Sequence, residues 1–320
     1  MPTLVLSKKD VRDLVNLREV INVVEAAFKE WTEGKGKMPP KLYLTLQNGD
    51  FRAMPAALPG AAGMKWVNVH PGNPGKGLPT VMAVLIYNDP ETGYPLAIMD
   101  ATEGTAYRTA ATSAIASKHL ARTDSKTLGI VGAGYQSFPH ILAHTILFKF
   151  EEIRIADISH PAITSLMQAL PNLPLRECSL EQTVKSDIIC TLTPARQPVV
   201  KNEWLLPGTH INAVGADAEG KEELEPSILN RAMVVVDDLR QSVHAGEINV
   251  PVAKGLFKKE QIYATLGEIV TGKKKGRIDN EKITIFDSTG LAIEDIALAR
   301  LLYEKARKTG TTGISLNLVD

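Results

Sequence analysis

The sequence predicts an α/β protein in two parts: a doubly wound parallel sheet, and an α+β portion built on a mainly antiparallel sheet. Residues 41–101 hold short extended runs parted by turn signals, whereas residues 127–286 hold continuous apolar runs set between helical or turn segments. Closely spaced strands with short turns pair antiparallel; apolar strands alternating with helices form a parallel sheet covered on both faces. A length of 320 residues suits two domains at ~100–200 residues each. The expected division gives residues 1–115, completed by a C-terminal helix over 292–320, to the first, and 116–291 to the second.

The chain opens as helix. Ser7 with Asp10 resembles a capping box, and Val20, Val23, Val24, Ala27, Phe28 and Trp31 recur at helical spacing. Gly34, Gly36 and Pro39-Pro40 stop it. Strands are expected over Lys41–Leu46, Phe51–Ala56, Met64–His70, Val81–Tyr87 and Pro95–Ala101, between turns such as Asn48-Gly49-Asp50 and Asn88-Asp89-Pro90. Thr105–Leu120, rich in Ala and Ser, reads as a helix leaving this sheet. The buried-strand runs of the second part are Leu128–Val131, Ile153–Ala156, Asp187–Cys190, Ile211–Val214, Met233–Val236 and Ile283–Phe286. A last helix, Ala292–Lys308, lies beyond that series and is placed to pack back on the first domain.

Composition narrows the function. The chain carries 36 Lys+Arg against 36 Asp+Glu, and this balance argues against a nucleic-acid binder, which needs a basic excess to neutralise phosphates. The one basic run, Lys273–Lys275, reads as a solvated turn. The two cysteines, Cys178 and Cys190, stand beside apolar runs and read as small core residues, not a disulfide framework. No apolar stretch approaches ~18 residues, and charges begin at Lys8, so a soluble cytoplasmic protein with no membrane partner is expected.

Gly132-Ala133-Gly134-Tyr135-Gln136-Ser137 follows an expected strand and opens an expected helix. The first glycine permits a tight turn, the second lets backbone amides approach a pyrophosphate, and a small third residue lets helix and strand pack closely. The helix N-terminus offers N–H groups and a positive dipole end to phosphate. Ser137 stands where the Rossmann fingerprint has Gly or Ala. Asp157 ends the next strand, where a carboxylate accepts hydrogen bonds from ribose hydroxyls and repels a 2′-phosphate. NAD is therefore the expected cofactor.

Four basic side chains stand in or beside the first-domain strands: Lys41, Arg52, Lys65 and Arg108. Lys65 sits within the run Gly63–Val69, and two readings stand open: a snorkelling surface residue, or a buried lysine paired with an anion or shifted in pKa. Arg108, at the entry to the Ala-rich helix, is suited to fork two hydrogen bonds to a carboxylate or phosphate, or to pair with Glu103 or a neighbour. Asp217 follows a strand ending at Gly215, at the carboxyl edge where doubly wound sheets bind ligands; a helix cap is the alternative. Asp287–Gly290 ends another strand beside it. His140 and His144 have the i, i+4 spacing of a zinc pair, but no Glu stands between them and no third ligand is evident, so no metal is expected.

These segments resemble the ornithine cyclodeaminase/mu-crystallin family, and most of all its archaeal-type alanine dehydrogenase branch. The resemblance runs through MPPKLYL from Met38, FRAMPA from Phe51, MKWVNVHPGNPGKGLPTVMA from Met64, RTAATSAIASKHLAR from Arg108, GAGYQS from Gly132, NAVGADAEGKEEL from Asn212 and TIFDSTGLAIED from Thr284. It implies a homodimer whose first domain supplies substrate contacts and the subunit interface. Lys65 would then be the catalytic lysine and Asp217 the acid–base or water-handling carboxylate. Lys41, Arg52 and Arg108 would serve the substrate. Arg108, Thr109, Gly132, Gly134, Tyr135, Gln136, Asp157, Ile158, Ser159, Thr191, Thr193, Pro194, Val214, Gly215, Ala216, Asp217, Lys221 and Ser288 would line NAD.

The implied reaction interconverts L-alanine with pyruvate and ammonia through an imine. Reduction of a cyclic imino acid such as pyrroline-2-carboxylate is the runner-up, with ornithine cyclodeamination and mu-crystallin-like ligand carriage behind. A cyclodeaminase must hold a second substrate ammonium and should place a carboxylate where Arg52 stands; a cation there disfavours ornithine.

Overall fold

The computed structural model describes residues 2–310 and 312–319. The chain divides into two compact units, Met1–Thr109 with Leu291–Asp320, and Ala110–Gly290. In the first unit, β1 (Thr3–Leu6) leads to α1 (Lys8–Leu14) and α2 (Leu17–Thr32). The Ser7–Asp10 capping box starts α1. The single opening helix read from the sequence is two, because Val15 leaves helical geometry and Asn16 caps α2 through the Glu19 N–H at 3.2 Å. Val20, Val24 and Phe28 form the buried stripe of α2.

There follow β2 (Leu42–Leu46), β3 (Gly49–Leu58), β4 (Ala61–Val69), β5 (Val81–Asn88) and β6 (Pro95–Asp100). They form an antiparallel meander; β1 joins β6 in parallel and was not visible in the sequence. Side chains alternate across a strand, so Arg52, Met54, Ala56 and Leu58 of β3 are buried while their neighbours on the opposite face are partly open. In register, Met54 lies opposite Lys65 and Arg52 opposite Val67, which puts Arg52 and Lys65 on one face of the sheet. Asp100 accepts from the Glu103 N–H and starts α3 (Thr102–Leu120), three residues earlier than expected.

The second unit holds β7 (Thr127–Val131), α4 (Ser137–Leu147), β8 (Glu152–Ala156), α5 (His160–Ala169), β9 (Leu175–Glu177), α6 (Leu180–Val184) and β10 (Ile188–Thr191). Then come β11 (His210–Ala213), α7 (Pro226–Arg231), β12 (Met233–Val236), α8 (Leu239–Ala245), α9 (Asn249–Ala253), β13 (Ala264–Thr265), α10 (Leu266–Val270) and β14 (Thr284–Asp287). The eight strands run in the order β13-β12-β14-β11-β10-β7-β8-β9, all parallel. The chain moves one way from β7 to β9 and then resumes at β10 on the other side of β7. That reversal is the topological switch point at which open α/β sheets bind dinucleotides. Two apolar clusters fill the unit, one around Ile211, Val234 and Ile285, the other around Leu128, Ile153 and Ile188.

From β14 the chain returns to the first unit. There α11 (Ala292–Thr309) packs on α2 and on β3, β4 and β5, and β15 (Ile314–Leu316) pairs with β1. Of the cysteines, Cys190 is buried as expected, while Cys178 is only partly so. Among the described residues, no helix is long and apolar enough to cross a membrane.

The close approach of α6 to β7 demands a glycine, since a Cβ at Gly129 would lie 2.3 Å from the Thr183 carbonyl oxygen. Gly129→Ala is expected to cost about 1–3 kcal/mol, read as an earlier midpoint in denaturant unfolding.

Candidate active site

In the first unit the sheet, α3 and α11 bring four charges together out of contact with water. Lys65 on β4 is 1% exposed, and its Nζ lies 2.8 Å from both carboxylate oxygens of Asp295 on α11. It also donates to Thr105 Oγ1 at 3.3 Å. Arg108 on α3 donates from Nε to the same Asp295 at 3.1 Å and from Nη1 to Glu294 at 2.8 Å. Glu294 holds its place by accepting from the Leu291 N–H, which starts α11. Arg108 therefore pairs with Glu294 and Asp295. Glu103, the partner suggested by its proximity in sequence, is bound by Arg12 and Lys8.

Burial is the main force on the Lys65 ammonium, and the positive charges of Arg108 and Lys41 add to it. Asp295 opposes them, and Lys65 settles at about 7 from an ordinary 10.5. The same burial works against the Arg108 charge, but Asp295 and Glu294 more than offset it and raise its pKa. One lysine of the cluster thus exchanges its proton near neutrality while its arginine neighbour stays charged. Arg52, on the same sheet face, is buried and tied to Asp50 at 2.7 Å, with its guanidinium over the Tyr43 ring. Thr109 donates its hydroxyl back to the Thr105 carbonyl.

The second unit carries the glycine-rich turn. Gly132 has φ +102°, which favours glycine, and its N–H donates to the Ala156 carbonyl, closing the turn onto β8. At Gly134 a Cβ would meet nothing within 4 Å, so an open cradle lies over the start of α4. No side chain caps α4, the Gln136 Oε1 is buried without a partner, and Ser137 is buried with its hydroxyl on the Gly134 carbonyl. Asp157 accepts from the Ala133 N–H at 2.6 Å and the Ser159 N–H at 2.7 Å, pinning the glycine turn to the end of β8; Ser159 in turn caps α5. Tyr135 and Ile158 are exposed beside it. An uncapped helix start, an open glycine cradle and a carboxylate at the next strand end fit a dinucleotide.

Loops follow β10 and β11, and β11 ends earlier than expected, at Ala213, two residues before Gly215, where the Val214 and Gly215 amides both turn to the Thr191 carbonyl. Asp217 pairs with Lys221, whose Nζ also reaches the Gly215 carbonyl. The hydroxyls of Thr191 and Thr193 are turned inward to Glu223, and Ser288 is buried with its N–H on the Ala213 carbonyl. His140 and His144 are wholly buried. Each Nδ1–H donates to the carbonyl four residues back, so each Nε2 accepts from a serine of α3, Ser113 or Ser117. Burial holds them at about 3 and 4, as neutral clamps between α3 and α4.

Sequence reasoning missed Asp295, Glu294, Thr105 and Glu223. The signal for the first two was present: adjacent acids on α11 between Ala292-Ile293 and Ile296-Ala297, in a helix with apolar residues on most sides.

Comparison with known proteins agrees with this architecture. A curated alanine dehydrogenase from Archaeoglobus fulgidus is 49% identical over 308 residues, covering 96% of both chains. An archaeal alanine dehydrogenase dimer solved with bound NAD superposes at TM-score 0.98, with 47% identity over 100% of both chains. The Thermococcus litoralis Δ1-pyrroline-2-carboxylate reductase, solved with NADH and L-proline, superposes at 0.93 with 40% identity, covering 98% of this chain and 99% of that one. The profile of one family matches residues 1–310, and on that match and these likenesses the chain belongs to the ornithine cyclodeaminase/mu-crystallin family.

Proposed function

We propose that this protein is an NAD-dependent amino-acid dehydrogenase that interconverts L-alanine with pyruvate and ammonia. One observation carries the reading: a wholly buried lysine whose pKa lies near neutrality, held beside a charged arginine by a shared carboxylate. The likeness to the Archaeoglobus fulgidus enzyme supports the choice of substrate. Bound NAD supplies the acceptor for the hydride that leaves the substrate Cα.

The protein's own residues handle charge and protons. At neutral pH alanine carries an ammonium, and its nitrogen lone pair must be freed before it can assist hydride loss. Lys65 in its neutral form is the base that takes that proton. Receiving it restores the ammonium between Asp295 and Thr105, where two acceptors already wait. Arg108, with Lys41 and Arg52 of the same unit, supplies the positive field for the substrate carboxylate, which orients Cα. Asp217 is assigned the water that adds to the resulting imine, with Lys221 holding its carboxylate. Gly132–Gln136 with Asp157–Ser159 hold the dinucleotide, joined by the loops 191–194 and 214–217, Lys221, Ser288 and Arg108–Thr109.

We further assign a homodimer, formed through the face of the first-unit sheet opposite Lys65. That face exposes Leu42, Leu44 and Leu46 of β2, Trp66 of β4, and Val84 and Ile86 of β5. A continuous apolar patch of this kind marks a protein partner. A second copy is the occupant because a 47%-identical relative of the same fold was solved as a dimer.

The reading is tested by following NADH absorbance with L-alanine plus NAD, and with pyruvate, ammonia and NADH. Turnover confined to Δ1-pyrroline-2-carboxylate would replace it with imino-acid reduction. Lys65→Met is expected to lower kcat by about 10²–10⁴-fold with NADH affinity retained; a near-normal rate removes Lys65 from the mechanism. Because neutral Lys65 is the active base, kcat/KM for alanine should rise with pH through about 7. Asp295→Asn removes the charge that favours the ammonium, so this rising limb should move to lower pH. Trp66→Glu should yield monomers in sedimentation analysis; an unchanged dimer would place the interface elsewhere.

A further inference from the structure

The second unit contains buried carboxylates to which neither the fold nor the proposed reaction gives a role. Glu223 is the one that joins the loops after β10 and β11. It has no exposed surface, and its two oxygens accept four hydrogen bonds. Oε1 takes the Thr193 N–H and hydroxyl, both at 2.7 Å; Oε2 takes the Thr191 hydroxyl at 2.7 Å and the Gly215 N–H at 2.8 Å. Thr191 and Thr193 belong to the loop after β10, and Gly215 to the loop after β11. One side chain therefore ties together the ends of two neighbouring strands. Gly215 is required for this arrangement, since a Cβ there would lie 2.0 Å from the Thr193 carbonyl oxygen and 2.7 Å from Glu223 itself.

The main chain of Glu223 is fixed just as firmly. Its N–H donates to Glu247 at 3.0 Å, and its carbonyl accepts from Val199 and Val200. Glu247 also takes the Leu224 N–H, and its own N–H goes to Asp287 at 2.8 Å. Burial raises the pKa of both glutamates. The four donors on Glu223 pull it back, whereas the Glu223 charge pushes Glu247 up further. The charge of the pair is thus best held on Glu223, whose donors suit an anion that accepts only.

Placement gives the function. The switch point lies between β7 and β10, so a dinucleotide crossing it has one half on the side of β7 and β8, where Asp157 stands, and the other on the side of β10 and β11. We infer that Glu223 is a positioning residue for the nicotinamide half of the cofactor, fixing from behind the relative arrangement of the two loops on which that half rests. The inference rests on the assignment of those loops to the dinucleotide made above.

The test separates the two halves. NADH binding is titrated by its fluorescence, and ADP-ribose, which lacks the nicotinamide, by calorimetry, on wild type and on Glu223→Gln. The variant's NH2 group opposes an N–H or hydroxyl donor. NADH affinity should fall about tenfold or more, with ADP-ribose affinity held within about twofold. Equal weakening of both ligands, or no change in either while the melting temperature falls, overturns the inference and leaves Glu223 a structural residue. Wild-type protein that binds neither ligand overturns the cofactor assignment and the inference with it. Should Glu223→Gln not fold, Thr191→Val removes one buried donor and keeps the carboxylate. It should give the same selective loss at smaller size, and equal or absent loss there also overturns the inference.

Discussion

The ammonium of Lys65 is removed from water and placed against a carboxylate that it shares with a guanidinium, and much of the first unit is arranged around that contact. Two cations, Lys65 and Arg108, meet two anions, Asp295 and Glu294, and each of the four is at most about 5% exposed. Such a group is tolerated in a low-dielectric interior only when every charge has a partner. With Lys65 protonated the four sum to zero, and with it neutral the cluster carries one excess negative charge. A proton taken up by Lys65 restores the balance, and that uptake is favoured by Asp295 against the burial and the Arg108 and Lys41 charges that depress the lysine. The partners lie 230 residues apart in the chain. This explains why the C-terminal helix belongs to the first unit: β4 cannot bury its lysine until α11 has returned.

The second unit solves the same electrical problem differently. Its buried and half-buried acids are met by backbone amides and hydroxyls. Asp157 takes the Ala133 and Ser159 N–H groups, Asp237 those of Asp238 and Gly290, and Asp287 those of Glu247 and Ile248. These three carboxylates stand at or just beyond strand ends on the carboxyl edge of the sheet, where loops carry function on a rigid frame. Each bond made there fixes a loop through its main chain. Satisfied networks of this kind rigidify, because breaking one bond leaves a desolvated group unpaired.

What the sequence made legible was local. The glycine turn, the strand before it and Asp157 lie within one β–α–β unit, and turn chemistry with apolar runs sufficed to read them. The meander of β2 to β6 was legible because short turns leave antiparallel pairing as the economical solution. The missing pieces depend on distant contacts. Strand β1 has four residues and becomes a strand only by pairing with β6 and β15. The helix break at Val15-Asn16 hides in a stretch whose spacing suits continuous helix on either side. Glu223 stands in the acid-rich run Glu219–Glu225, and its burial comes only from contacts with the loops after β10 and β11. The sequence around Lys65 admits two readings, and only the acids of α11, invisible to any local window, separate a buried lysine from a surface one.

The period of two along β4 ties chemistry to assembly. Lys65 points to the face covered by α11, and the next residue, Trp66, must point to the other, where it is 37% exposed and stacked on Phe51 at 5.3 Å. The same alternation along β5 turns Leu85 inward and Val84 and Ile86 outward. One-residue slippage of either strand would bring an ammonium to the apolar face and a tryptophan to the charge cluster. Covering the outer face with a second subunit therefore does more than hide apolar surface. It penalises every odd-residue slip, which would take Lys65 to the outer face, so the proposed dimer contact and the proposed proton-transfer site stabilise each other through the backbone of one shared strand.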